Sequence, residues 1–217
     1  MSVRKIKKSY ISCVGYFKSY KSNKQLAFES ILERDFFTVL EFDNSVISYE
    51  EQPFQIKYNL KGVSTRYTPD VLVIYKDGSQ KVFEVKYQKA IDSDLELQYK
   101  LTILKEEILK QKSLSFEVFT DIQFDNIYLK NCIFLYKFAF LTENTKIKTN
   151  IQNVLKLKKE PLSIRAFIEE LSPEQSYQLR NLPYLWHEVF KNLSLVNMYQ
   201  PITMSSLLQI RNYHEQT

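Results

Sequence analysis

An α/β domain built around a mixed sheet is what this 217-residue sequence predicts, on three observations. A helix-spaced apolar stripe precedes a series of short strand-like segments. A continuously apolar segment and an alternating one are joined by an Asp-Gly turn. A second helical pattern and another strand follow them.

The elements read in order. Ser22-Asn23-Lys24-Gln25 fits the capping-box pattern and predicts a helix over residues 24–41. Phe28, Ile31, Leu32, Phe36, Val39 and Leu40 recur at helical spacing as its buried stripe. Glu29 and Glu33, four apart, share another stripe of that helix. Asp43-Asn44-Ser45 signals a turn, and residues 46–49 read as a short strand. Beyond Pro53, residues 54–60 alternate as a half-buried strand does, and Lys61-Gly62 is the next turn. Residues 71–75 are continuously apolar, as in a central strand covered on both faces. Asp77-Gly78 is a strong hairpin signal, and residues 81–87 form the alternating return strand. Residues 92–112 look helical, with Leu95, Tyr99, Leu104, Ile108 and Leu109 toward the buried side. Residues 116–120 are another strand, and residues 132–140 fit either a buried strand or a helix.

The polar stretch 142–150 lacks periodicity and reads as a linker, so residues 24–141 form one domain and 151–217 another. In the second, residues 151–159 look helical, and Ser163 can cap a helix ending near Leu171. Ser172-Pro173-Glu174-Gln175 reads as a helix start, with a further helix around 185–193. Residues 195–198 and 202–204, separated by Gln200-Pro201, suggest a small hairpin. Short helices with a terminal hairpin are the pattern of a winged-helix module.

Composition narrows the function classes. The net charge of +5 and pI of 8.9 suit an anionic partner such as nucleic acid, though only mildly. Residues 1–23 interleave Arg4, Lys5, Lys7, Lys8, Lys18 and Lys21 with Tyr10, Tyr16, Phe17 and Tyr20. That pattern fits an arm touching DNA phosphates and fits a solvated tail equally well. Cys13 and Cys132 are isolated, which argues against a zinc site and for reduced thiols. No signal peptide or bilayer-spanning run is visible, so a cytoplasmic protein with no membrane partner is expected. Three glycines leave no phosphate-cradling Gly-rich motif. His187 and His214 lie far from the acidic residues and read as packed or solvated.

The segment that carries chemistry is Thr68-Pro69-Asp70-Val71-Leu72-Val73, followed by Val82-Phe83-Glu84-Val85-Lys86. Residues two apart on a strand share a face, so Glu84 and Lys86 converge, and the hairpin can bring Asp70 alongside. Phosphodiester hydrolysis requires such a set. Two carboxylates offer hard oxygens to Mg²⁺, which lowers the pKa of water and neutralises charge on the phosphate. A lysine can orient the attacking water and stabilise the transition state. A third carboxylate from a preceding helix commonly completes such sites, and Glu29 and Glu33 are the candidates. A Glu-x-Lys on a strand is by itself commonplace, since exposed strand faces often alternate charge with apolar residues. Order, hairpin topology, the upstream helical glutamate and the downstream helix together point to a PD-(D/E)xK nuclease.

Several ordered motifs extend this pattern. Residues 28–36 (FESILERDF), 40–46 (LEFDNSV), Tyr49-Glu50-Glu51-Gln52-Pro53, Tyr67-Thr68-Pro69-Asp70, Glu84-Val85-Lys86 and Phe119-Thr120-Asp121 together resemble the TnsA family. These are the endonuclease subunits of heteromeric bacterial transposases. The resemblance is close over residues 24–140 and looser beyond. It implies a restriction-endonuclease-like domain followed by a small helical, winged-helix-like domain for partner contact. It implies nicking at the 5′ ends of a transposon in double-stranded DNA, with TnsB cutting the 3′ ends and the AAA+ regulator TnsC contacted mainly through the C-terminal domain. It also implies a Mg²⁺ site, in which Mn²⁺ substitutes, with Glu33, Asp70 and Glu84 as metal ligands and Lys86 completing the catalytic set. Glu33 is favoured over Glu29 by its place just before the run from Phe36 to Leu40. Gln52 lies near the site or stabilises its turn. A stand-alone restriction- or junction-type nuclease, and a non-catalytic DNA-binding assembly subunit, are the alternatives.

Overall fold

In the computed structural model, which describes residues 13–158 and 160–210, a short antiparallel pair comes first. Strand β1 (Gly15–Lys18) pairs with β2 (Gln25–Phe28). Gly15 permits the close approach, because a Cβ there would stand 2.5 Å from the Phe28 ring. The helix expected from residue 24 therefore starts later. Helix α1 (Ile31–Phe42) is capped by Ser30, whose side chain accepts from the Glu33 backbone N–H. The working cap is thus Ser30-x-x-Glu33, not Ser22-x-x-Gln25, and Glu29 stands before the helix. Arg4, Lys5, Lys7, Lys8, Tyr10, Lys159 and His214 lie outside the described residues.

The later part of the expected arm is built into the fold. Glu41, buried on α1, accepts hydrogen bonds from Ser19 Oγ at 2.5 Å, Tyr49 Oη at 2.6 Å, and the backbone N–H groups of Tyr20 and Lys21 at 3.1 Å each. A buried carboxylate is tolerable only with this degree of satisfaction.

Strand β3 (Val46–Glu51) follows, then a hairpin of β4 (Ile56–Leu60) and β5 (Val63–Tyr67). Lys61 and Gly62 both take positive φ in its turn. Strand β5 is an element the sequence pattern alone did not reveal. Strands β6 (Val71–Tyr75) and β7 (Gln80–Val85) form the Asp-Gly hairpin. Short helix α2 (Gln88–Ser93) and long helix α3 (Leu95–Lys112) lead to β8 (Ser115–Phe119). The sheet order is β3-β6-β7-β8, antiparallel except for the parallel β7–β8 pair. The intervening α3 is the crossover that a parallel pair requires. The architecture is a mixed sheet flanked by helices, as expected, and consistent with a restriction-endonuclease-like fold. Helix α3 buries Leu101, Leu104 and Ile108, whereas Leu95, Tyr99 and Leu109 are exposed. Of the expected stripe, Leu104 and Ile108 are thus buried and the other three are not, because α3 covers the β4–β5 ribbon and β8 with a narrow face only.

The chain divides into two compact units, residues 1–124 and 125–217, earlier than the break drawn at 142–150. Residues 132–140 are largely helical: α4 (Asn126–Tyr136) belongs to the second unit. The proposed linker is mostly helix, because Asn144 caps α5 (Thr145–Leu157). Ser163 caps α6 (Ile164–Leu171) as expected. Helix α7 (Gln175–Lys191) is one continuous element that contains Pro183, not two helices. No hairpin forms at 195–204. Instead β9 (Leu162–Ser163) pairs with β10 (Leu207–Leu208), so the wing expected there is absent. Asn131 holds the segment between α7 and β10, donating to Met198 and Gln200 carbonyls and accepting from Ile202 N–H. His187 packs in this unit, with Nδ1 2.7 Å from the Phe138 carbonyl. Among the described residues, no helix is long and apolar enough to cross a membrane.

Candidate active site

The β6–β7 register aligns Val71 with Phe83. One further step sets Asp70 opposite Glu84, and directly opposed residues in an antiparallel pair share a face. Asp70 stands just before β6, where the strand leaves Pro69. Its Oδ2 accepts from the Val85 backbone N–H at 2.8 Å. Gln52 fixes the same turn from behind: its N–H donates to the Asp70 carbonyl at 2.9 Å, and its Nε2 reaches Glu29 at 3.2 Å. Gln52 takes φ of +46°, a conformation non-glycine residues seldom adopt, immediately beside the site. It therefore both lies near the site and stabilises its turn.

Lys86 lies one residue past β7, and its backbone N–H donates to the Phe119 carbonyl of β8 at 3.0 Å. That bond aims its side chain back over Glu84. Lys86 Nζ stands 2.7 Å from Glu84 Oε1, 3.5 Å from Asp70 Oδ2 and 3.2 Å from the Val85 carbonyl. Three hard oxygens therefore gather around one cationic group. Glu84 is 5% exposed, so its charge is largely cut off from water. Its other oxygen accepts from the Tyr67 hydroxyl.

The electrostatics follow from burial and crowding. Burial first, then the charge of Glu84, push Asp70 up to about 7, with Glu33 adding to the rise and Lys86 opposing it. Burial alone would lower the Lys86 pKa, but Asp70, Glu84 and Glu33 outweigh it and raise it. Lys86 is accordingly a cation at neutral pH. Burial, then the Glu84 charge, holds the Tyr67 phenol well above its ordinary value, so Tyr67 is a neutral donor.

The structure brings Lys86 into contact with both Asp70 and Glu84. Glu33 is within electrostatic reach of Asp70 and Lys86, but its carboxylate is turned to its own helix start. Oε2 accepts from the Glu29 backbone N–H at 2.8 Å and Oε1 from Ser30 Oγ at 2.9 Å. Burial, the largest influence, raises the pKa of Glu33. Helix α1 is fixed over the sheet by Phe36, which packs on Phe83 and Phe119 at ring distances of 5.1 and 4.4 Å. Among the described residues no three acidic, histidine or cysteine side chains converge as a complete metal cage. The oxygens that do converge are those of Asp70, Glu84 and the Val85 carbonyl. Tyr67 is the site residue that the sequence pattern missed. Its signal was the Lys61-Gly62 turn, which should have called for a return strand ending near Tyr67.

A mixed sheet that presents an aspartate at one strand mouth and a Glu-x-Lys on the next strand is consistent with a restriction-endonuclease-like fold. The family model described as TnsA-like endonuclease, N-terminal, matches residues 43–121 and supports a TnsA-type nuclease. The matched stretch contains Tyr67, Asp70, Glu84 and Lys86 and begins after Glu33. No curated protein matches the chain.

Proposed function

We propose that this chain is the metal-dependent endonuclease subunit of a heteromeric transposase, nicking the 5′ ends of a transposon beside a TnsB-type transposase and a TnsC-type regulator. One observation carries the chemistry: two opposed carboxylates and a backbone carbonyl converge on the position now held by the Lys86 ammonium. A site that stabilises one cation with hard oxygens fits Mg²⁺, and Mn²⁺ by the same donors. Asp70, Glu84 and the Val85 carbonyl would hold the ion. Glu33 would join them once released from its contacts with Glu29 and Ser30. Bound there, the ion would supply Lewis acidity toward the scissile phosphate and toward water.

The protein's own groups do the remainder. Asp70, held by Val85 N–H, and Glu84, held by Tyr67, keep their oxygens at fixed positions. With the ion bound, the Lys86 ammonium would move from that position and would neutralise charge growing on a phosphate oxygen. The second unit, residues 125–217, serves partner contact in this reading.

The test is strand-specific cleavage of a plasmid carrying the transposon ends, with Mg²⁺ and the partner proteins. Asp70→Ala and Lys86→Ala are expected to abolish 5′ nicks and leave 3′ cuts. Normal 5′ cleavage by both variants would place the chemistry elsewhere. Cleavage of plain DNA by the isolated chain would instead favour a stand-alone nuclease.

A further inference from the structure

Tyr67 belongs to neither strand of the β6–β7 hairpin, yet its hydroxyl reaches that hairpin's glutamate. It ends β5, in a two-stranded ribbon separate from the four-stranded sheet. The ring is 7% exposed. Tyr58 meets it edge-on at 6.4 Å, and Lys100 Nζ lies 5.6 Å from its centroid. The position of the hydroxyl is thus set by the packing of the ribbon between α3 and the sheet, in one buried cluster with Tyr58, Val82, Leu101 and Leu104.

Glu84 gains a fixed orientation from this. The terminal torsion of a glutamate is broad and roughly two-fold, so an untethered carboxylate samples many directions. With Oε2 accepting from Tyr67, the other oxygen, Oε1, meets Lys86 Nζ at 2.7 Å. Resting on the reading of Asp70, Glu84 and Lys86 as a metal-dependent nuclease centre, we propose that Tyr67 is a positioning residue. It locks Glu84 so that a single oxygen is presented to the divalent ion. Partners of this kind, which orient a ligand without touching the metal, commonly govern metal affinity.

The test is calorimetric titration of the full chain with MnCl2, without DNA. Tyr67→Phe keeps the ring and deletes the donor, and its Mn²⁺ affinity is expected to fall about 10- to 100-fold. Tyr58→Phe, a neighbour in the same packing, is expected to leave it unchanged. 4-Methylphenylalanine at position 67 fills the hydroxyl's volume without a donor. It is expected to weaken binding equally, and it serves as the second variant should Tyr67→Phe fail to fold. In cleavage assays Tyr67→Phe should shift the Mg²⁺ half-saturation upward, with DNA affinity in EDTA unchanged. Wild-type Mn²⁺ affinity in both Tyr67 variants overturns the positioning role and leaves the nuclease reading standing. If wild type itself binds no divalent ion, the nuclease reading falls and takes this proposal with it.

Discussion

Replacing Asp70 by Asn should stabilise the metal-free protein while removing its cleavage activity. Asn retains an oxygen to accept from Val85 N–H and deletes the charge that crowds Glu84. The sign follows from linkage. Asp70 in the folded chain titrates near 7, against an ordinary value of 3.8. Between these values the folded state holds a proton that the unfolded state has lost, so stability falls as pH rises and the full cost stands above about 7. A shift of that size corresponds to about 4 kcal/mol as a ceiling. The Asp70 side chain is 22% exposed, and solvent screening brings the working figure to about 1–2 kcal/mol. For a unit of this size that is roughly 3–8 °C in Tm. The assay is thermal denaturation in EDTA from pH 5 to 8.5, wild type against Asp70→Asn. The variant should melt higher at pH 8, with the gap closing as pH falls through 7 toward 4. A gap that is absent at pH 8, or as large at pH 5, refutes the argument.

Two further outcomes are expected. Glu41→Ala removes one acceptor shared by the hydroxyls of Ser19 and Tyr49 and the N–H groups of Tyr20 and Lys21, and should cost roughly 3 kcal/mol in urea denaturation. Asn131→Asp removes the donor to two carbonyls and sets a negative charge against them; about 2–3 kcal/mol should be lost from the second unit, read as loss of its cooperative melting.

The β6–β7 hairpin was legible because its signals are local. Asp77-Gly78 can take the turn, a continuously apolar strand must be covered on both faces, and a period of two sets Glu84 and Lys86 together. The start of α1 was misplaced because Ser22 and Ser30 both offer a capping hydroxyl. What decides between them is the pairing of β1 with β2, which takes residues 25–28 as strand. On α3, Leu104 and Ile108 are buried as their spacing predicts. Leu95, Tyr99 and Leu109 have the right spacing, but only the face toward Ile56, Tyr58 and Phe116 is covered. In the C-terminal unit, residues 195–204 are held by Asn131 from a distant helix, so local alternation there had no partner strand to satisfy it.

The sequence by itself determined the class of fold and the order of chemistry-bearing residues, since turn chemistry and periodicity act within a few residues and Asp70, Glu84 and Lys86 belong to one hairpin. Only the tertiary structure decided that Tyr67 restrains Glu84, that Gln52 supports Asp70, and that Glu33 comes within electrostatic reach of Asp70 and Lys86. Those relations join separate elements, and their distances depend on how the β4–β5 ribbon, α1 and the sheet pack, which no local pattern encodes.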